Sequence, residues 1–394
     1  MRYTTQLPPP VKLPTGMLSR YFMLGGEKGE IAGIQYLRGL AACGVVFAHC
    51  SGIIQFRKYY GEAPFSDVFW GGNAGVDLFF VISGFIIVAV SLRHDTLQAR
   101  WPLQEFLRRR FVRIIPIMWG AIVFYGGLRY LGRNIDVPWL SYLRALALWP
   151  VGHVEPAQIW TLRQEWVFYL LFALTTILTQ YRIFLYLWFI LPILLWLCGG
   201  VPETESVPST LLGLLVHPSS LQFGFGAMLG LTFLKRPQIF SSRPLHFGFP
   251  LLIGLSVVLF SIAQAFHLER SAPHALIAGL ISVLIVTVSL FVKRSSSAFA
   301  QAGEILGAAS YSIYLFHPGI ISAQLGALSK MAPNAPVNLA FVAVAVTTIL
   351  CCIAIHYCVE RPILHLLRGK SRTPEPVSQH TPTTTSPTAG ATTI

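Results

Sequence analysis

The chain has 394 residues, 54% of them hydrophobic and 11% charged, with a mean hydropathy of +0.61. Soluble domains carry roughly 25% charged residues, so this composition excludes an ordinary soluble protein and points to a membrane protein. The net charge of +13 does not indicate nucleic acid, because the cations are spread over short loops between apolar runs, where the positive-inside bias accounts for them.

A helix needs about 20 residues to cross a bilayer. Ten apolar stretches approach or reach that length: 31–54, 73–92, 112–131, 160–179, 183–200, 213–234, 246–266, 273–292, 304–327 and 337–359. The expected fold is all-α, a polytopic membrane helical bundle of about ten transmembrane helices. The apolar piece from Trp139 to Trp149 is too short to cross and reads as an interfacial or re-entrant segment. Residues 1–30 are polar and contain prolines, with no short apolar core before a cleavage site, so no removable signal peptide is expected. Residues 31–365 form the membrane domain. Residues 366–394 are rich in Thr and Pro and are expected to be a disordered cytoplasmic tail. With the N-terminus inside, 20 of the 29 Lys and Arg fall on the cytoplasmic side, 8 on the outer side, and Arg38 within the first span. That bias places both termini in the cytoplasm. The six cysteines lie within or at the ends of spans, with no spacing that suggests zinc or a disulfide framework; they read as packing residues, and no metal is expected.

Ionisable residues inside spans are costly and are therefore functional candidates. The first span carries Arg38 and His49, 11 residues apart. That is close to three whole turns, so both point the same way, about 16 Å apart along the axis. Four titratable residues from four spans are expected to share one depth towards the outer side: His49, Asp77, Glu165 and His317. An imidazole titrates near neutrality, so either histidine suits a general base, and Asp77 or Glu165 could orient it. Each also has a plainer reading. The histidines could be hydrogen-bonded packing groups, Asp77 a helix cap, and Glu165 a partner of Arg163 or of an interfacial Trp. On the inner side, R-R-R-F-V-R places Arg110 and Arg113 on one helical face with Arg108 and Arg109 beside them. Arginine forks suit phosphate, and a positive-inside anchor on anionic lipid is the alternative. Trp70, Trp139, Trp149 and Trp160, in or beside the outer loops, read either as sugar-stacking groups or as the interfacial belt.

Six blocks together resemble the integral-membrane acyltransferase type 3 family: Q-Y-L-R-G-L-A-A-C-G-V-V-F-A-H, G-V-D-L-F-F-V-I-S-G-F-I-I, R-R-R-F-V-R-I-I-P, W-T-L-R-Q-E-W-V-F-Y-L, S-Y-S-I-Y-L-F-H-P and V-E-R-P. They occur in that family's order over about 30–365, in wording similar to its exopolysaccharide branch. The resemblance implies an O-acyltransferase of a bacterial inner membrane, moving an acyl group, with acetyl the first choice, from cytoplasmic acyl-CoA to a hydroxyl of an exported or surface glycan or a lipid-linked oligosaccharide. It implies acetyl-CoA as donor and no metal, and it allows polysaccharide-assembly proteins as partners besides membrane lipid. By the same resemblance Arg38 and His49 are the essential first-helix pair, Arg110 and Arg113 the donor-associated basic motif, and Arg361 part of another recurring motif; CoA phosphates are then expected near Arg109, Arg110 and Arg113, with help from Arg361. Glu165 and His317 fall in other recurring motifs. His49 then either deprotonates the acceptor or carries the acyl group. Two departures stand out. Many members have two acidic residues where this chain reads R-Q-E-W, and some carry a fused extracytoplasmic esterase-like domain that is not expected here. A transporter of an acyl or glycan precursor is the rival from another class, since buried charges in ten spans suit that as well; the two related halves that such proteins often show are not evident.

Overall fold

The computed structural model describes residues 31–132, 138–177, 182–200, 210–241, 245, 248–266 and 271–368. Segment 1–30 and the tail beyond 368 lie outside the described residues. In chain order the helices are α1 (Ala32–Ile54), α2 (Gly75–Ser91), α3 (Leu103–Leu131), α4 (Trp139–Leu146), α5 (Ile159–Ile177), α6 (Arg182–Leu197), α7 (Leu211–Leu215), α8 (Ser219–Lys235), α9 (Pro237–Ser241), α10 (Gly248–Ala265), α11 (Ala272–Ser289), α12 (Ala298–Met331), α13 (Val337–Ile355) and α14 (Arg361–Arg368). Among the described residues there is no strand beyond two isolated bridges, Leu92–Ala99 and Leu245–Val292.

Each of the ten apolar stretches holds a helix. Six helical segments are long and apolar enough to cross a membrane: Ala32–Ile54, Trp70–Ser91, Leu103–Leu131, Gly248–Ala265, Ala272–Ser289 and Val337–Leu367. The other four stretches hold α5, α6, α8 and α12, of 19, 16, 17 and 34 residues. Helix α4 is eight residues long, burying Ser141, Tyr142 and Ala145 while Trp139, Leu140 and Leu143 stay exposed. An amphipathic helix of that length lies along an interface rather than through it.

Two helices begin earlier than their apolar runs. Helix α3 starts at Leu103, because Glu105 in its first turn suits the helix dipole and bonds Arg108 and Arg109 at 2.8 and 2.7 Å. The arginine run is therefore helical. Helix α12 starts at Ala298, where the Ser297 hydroxyl caps the Ala300 N–H.

Helix α1 lies at the centre, against α2, α10, α11, α12 and α13. Lipid supplies no hydrophobic drive between helices, so close packing depends on small residues. A Cβ on Gly307 would fall 2.1 Å from the Gln35 carbonyl oxygen, and one on Gly39 would fall 2.8 Å from the Leu306 Cβ. Helices α1 and α12 thus cross almost backbone to backbone. Gly84 of α2 and Gly226 of α8 do the same, at 2.2 Å from Phe223 O and 2.0 Å from Val81 O.

Candidate active site

The α1–α12 crossing sets the register of the site. His49 lies ten residues beyond Gly39, and His317 ten residues beyond Gly307. From a shared crossing point the two helices deliver both imidazoles to one depth, with ring centres 4.9 Å apart in an edge-to-face arrangement. His317 is fully buried, while His49 is partly exposed.

The backbone selects the tautomer of both rings. His49 Nδ1 lies 3.0 Å from the Val45 carbonyl oxygen. His317 Nδ1 lies 3.0 Å from Ile313 O and 2.8 Å from Tyr314 O. A carbonyl oxygen only accepts, so each Nδ1 carries a proton and each Nε2 keeps its lone pair. Pro318 explains the second carbonyl at His317. It lies inside α12 and has no N–H to donate to Tyr314 O, so the imidazole takes that carbonyl. His317 Nε2 is buried with no hydrogen-bond partner among the described residues. In the neutral rings two Nε2 lone pairs thus lie on adjoining imidazoles.

Nearer the start of α12 than this pair, Arg110 and Arg113 turn towards the bundle. The Arg110 guanidinium lies 5.7 Å from the ring centres of both Phe106 and Tyr169. Arg113 lies 5.8 Å from the Tyr311 ring, and its Nη1 is 3.4 Å from Glu360 Oε1. Arg108 and Arg109 instead pair with Glu105, and Arg109 also covers the Trp101 ring at 4.6 Å. Arg38, one residue before the Gly39 crossing, donates to Gln35 Oε1 at 3.3 Å.

Glu165 belongs with this inner group and not at the depth of the histidines. It accepts from Ser83 at 2.9 Å and from the Tyr169 hydroxyl, and the Tyr169 ring is the one that the Arg110 guanidinium covers. Tyr311 is six residues short of His317, about 9 Å further inward at 1.5 Å per residue. Of the four residues expected at one depth, the structure brings only the two histidines into contact. Helix α5 starts at Ile159, so Glu165 is already six residues in. Asp77 is elsewhere again, in the first turn of α2, where Oδ1 accepts from Gln222 and Oδ2 faces His274 Nε2 at 3.6 Å. Arg163 does not pair with Glu165; it is buried and donates to Gly152 O at 2.8 Å.

Residues 31–357 match the family model of an acyltransferase domain. The chain belongs to the integral-membrane acyltransferase type 3 family. It is 30% identical over 313 residues to the exopolysaccharide production protein ExoZ of Rhizobium meliloti (strain 1021), a match that covers 76% of this chain and 92% of ExoZ. It is 26% identical over 178 residues to the O-acetyltransferase OatA of Staphylococcus aureus (strain NCTC 8325 / PS 47), covering 39% of this chain and 26% of OatA. No solved structure matches. The protein is a multi-pass membrane O-acyltransferase, which decides against bare transport.

In this acyltransferase the V-E-R-P block reads differently from its sequence. Glu360 is its buried member, fully enclosed. It accepts from Ser312 at 2.7 Å and contacts His356 Nδ1 at 2.9 Å and Arg113. A π-helical turn over His356–Glu360 directs His356 and Glu360 inward, and such turns often mark functional sites. Arg361 is exposed, 6.0 Å from the Tyr357 ring, on the outside of this cluster. Sequence reasoning passed over Glu360, Tyr169 and Tyr311. A glutamate directly after the last apolar span was the available signal, since a lone carboxylate at such a place calls for a partner. No group of three or more His, Cys, Asp or Glu able to hold a metal occurs among the described residues.

Proposed function

We propose that the protein transfers an acetyl group from cytoplasmic acetyl-CoA to a hydroxyl of an exported or cell-surface glycan, within a bacterial inner membrane and with both termini in the cytoplasm. The observation that carries this reading is the order of groups along the α1–α12 pair: inward-facing arginines near the inner end, and two adjoining Nε2 bases further out. The similarity to an exopolysaccharide production protein and to an O-acetyltransferase supports exopolysaccharide as acceptor and acetyl as cargo.

Arg110 and Arg113 offer forked donors for CoA phosphates, with Arg109 at the membrane edge and Arg361 on the exposed side. Glu360 holds Arg113 in position. Arg38, about 16 Å inward of His49 along α1, extends this cationic entry on its inner side. His49 Nε2 takes the proton from the acceptor hydroxyl, whose oxygen attacks the acyl carbon. The C–S bond breaks, and the imidazolium returns the proton to the departing thiolate, giving ester and free CoA. His317, edge-on to His49, is the second base of the pair.

The test uses membrane vesicles, labelled acetyl-CoA and the host's envelope glycans, comparing wild type with His49→Ala at matched protein levels. Label in glycan with wild type only is the expected outcome. Equal labelling removes His49 from the chemistry.

A further inference from the structure

A cavity of about 280 Å³ opens at the outer ends of α2, α5, α8 and α11, apart from the paired histidines. It is lined by Trp70, Asn73, Asp77, Trp160, Gln222 and His274, among others. The start of each helix supplies part of the wall. Ser271 caps α11 and so fixes His274 in its first turn. The four tryptophans of the outer loops separate here, since Trp70 and Trp160 line the cavity while Trp139 and Trp149 are exposed on the surface.

Asp77 organises the polar wall. Its carboxylate engages the Gln222 amide N–H and faces His274 Nε2, which favours the tautomer with the proton on Nε2. Two acceptors are then left over, Gln222 Oε1 and His274 Nδ1. Both residues are more than nine-tenths buried, and neither atom has a hydrogen-bond partner among the described residues. Buried polar atoms are normally satisfied, so two on residues that line one cavity call for a ligand that donates twice into its wall. The lining contains a carboxylate and neither Lys nor Arg, which disfavours phosphate. A lipid tail would leave both acceptors unmatched. At about 30 Å³ per water, the volume equals about nine waters, room for one pyranose ring. Such a ring has donating hydroxyls at its rim and apolar C–H faces suited to indole.

The cavity is one layer from the histidines. Trp160 precedes Thr161, whose hydroxyl bonds that of Tyr314 at 2.8 Å, and the Tyr314 ring centre is 6.1 Å from that of His317. We propose that this cavity is an acceptor subsite for one uncharged hexose unit of the glycan, held by Gln222 Oε1 and His274 Nδ1 between Trp70 and Trp160. Asp77 is then a positioning residue for the sugar. The inference rests on the glycan-acylation reading above.

The test uses the full chain in membrane vesicles with labelled acetyl-CoA and oligosaccharides released from the host's own exopolysaccharide. Gln222→Met and His274→Phe keep shape and remove the acceptors. Each is expected to raise the acceptor KM at least tenfold while the KM for acetyl-CoA and kcat stay within about threefold. Methyl glucoside, methyl galactoside or methyl mannoside should compete in wild type and lose that effect in the variants. An unchanged acceptor KM in either folded variant, or equal loss on donor and acceptor sides, overturns the subsite while leaving glycan acylation standing. No label in glycan from wild type overturns both.

Discussion

At the residue scale, the site depends on which nitrogen of each histidine carries the proton, and the backbone carbonyls beside Nδ1 decide that. A positioned general base contributes typically 10²–10⁴-fold, so His49→Ala should lower glycan acetylation by about that factor in the vesicle assay. His317 depends on Pro318, which leaves the Tyr314 carbonyl for the imidazole. Pro318→Ala supplies the missing N–H and restores the helical bond. Since a proline in a helix interior costs about 3 kcal/mol, this variant should raise thermal stability while lowering activity. A fall in both would count against the tautomer role. Glu360 anchors Arg113 from a fully buried position. Glu360→Gln should therefore raise the KM for acetyl-CoA more than it lowers kcat. Arg113→Lys should fail to restore the wild-type KM, because an ammonium lacks the fork.

At the element scale, the α1–α12 crossing is the device that makes a site from two distant segments. Both helices run outward from a glycine contact, and ten residues later each presents a histidine. A methyl at Gly307 meets backbone, not a flexible side chain, so the helices must separate. Gly307→Ala should cut acetylation at least tenfold with the protein still inserted, as membrane fractionation and the labelling assay would reveal. Gly52→Ala is the control on the same helix, because a Cβ there meets nothing within 4 Å. Full activity in Gly307→Ala would show that the histidines do not depend on the crossing.

At the scale of the whole molecule, the direction of transfer depends on orientation. The arginine run at the start of α3 must face the donor compartment, and the cavity at the starts of α2, α8 and α11 the opposite one. Alkaline phosphatase fused after Arg368 should stay inactive in a bacterial host, while a fusion in the loop at Gly152 should be active. The reverse pattern would invert the scheme and put the arginines on the wrong side for cytoplasmic acetyl-CoA.

The helical membrane class, the ten helix positions and the same-face placement of Arg110 and Arg113 were legible in the chain, because hydropathy and helical period are local properties. The family was legible in six short blocks for the same reason. Partnerships were not. Glu165 proved to lie beside Tyr169 and Ser83, Asp77 beside Gln222 and His274, and Glu360 turned inward where Arg361 had drawn attention. Those outcomes depend on where helices cross and on a π-helical turn that shifts the helical phase near the end of the last predicted span. Residues up to hundreds of positions apart set them jointly through glycine contacts, so sequence alone supplied the reacting groups and only the tertiary structure decided which of them meet.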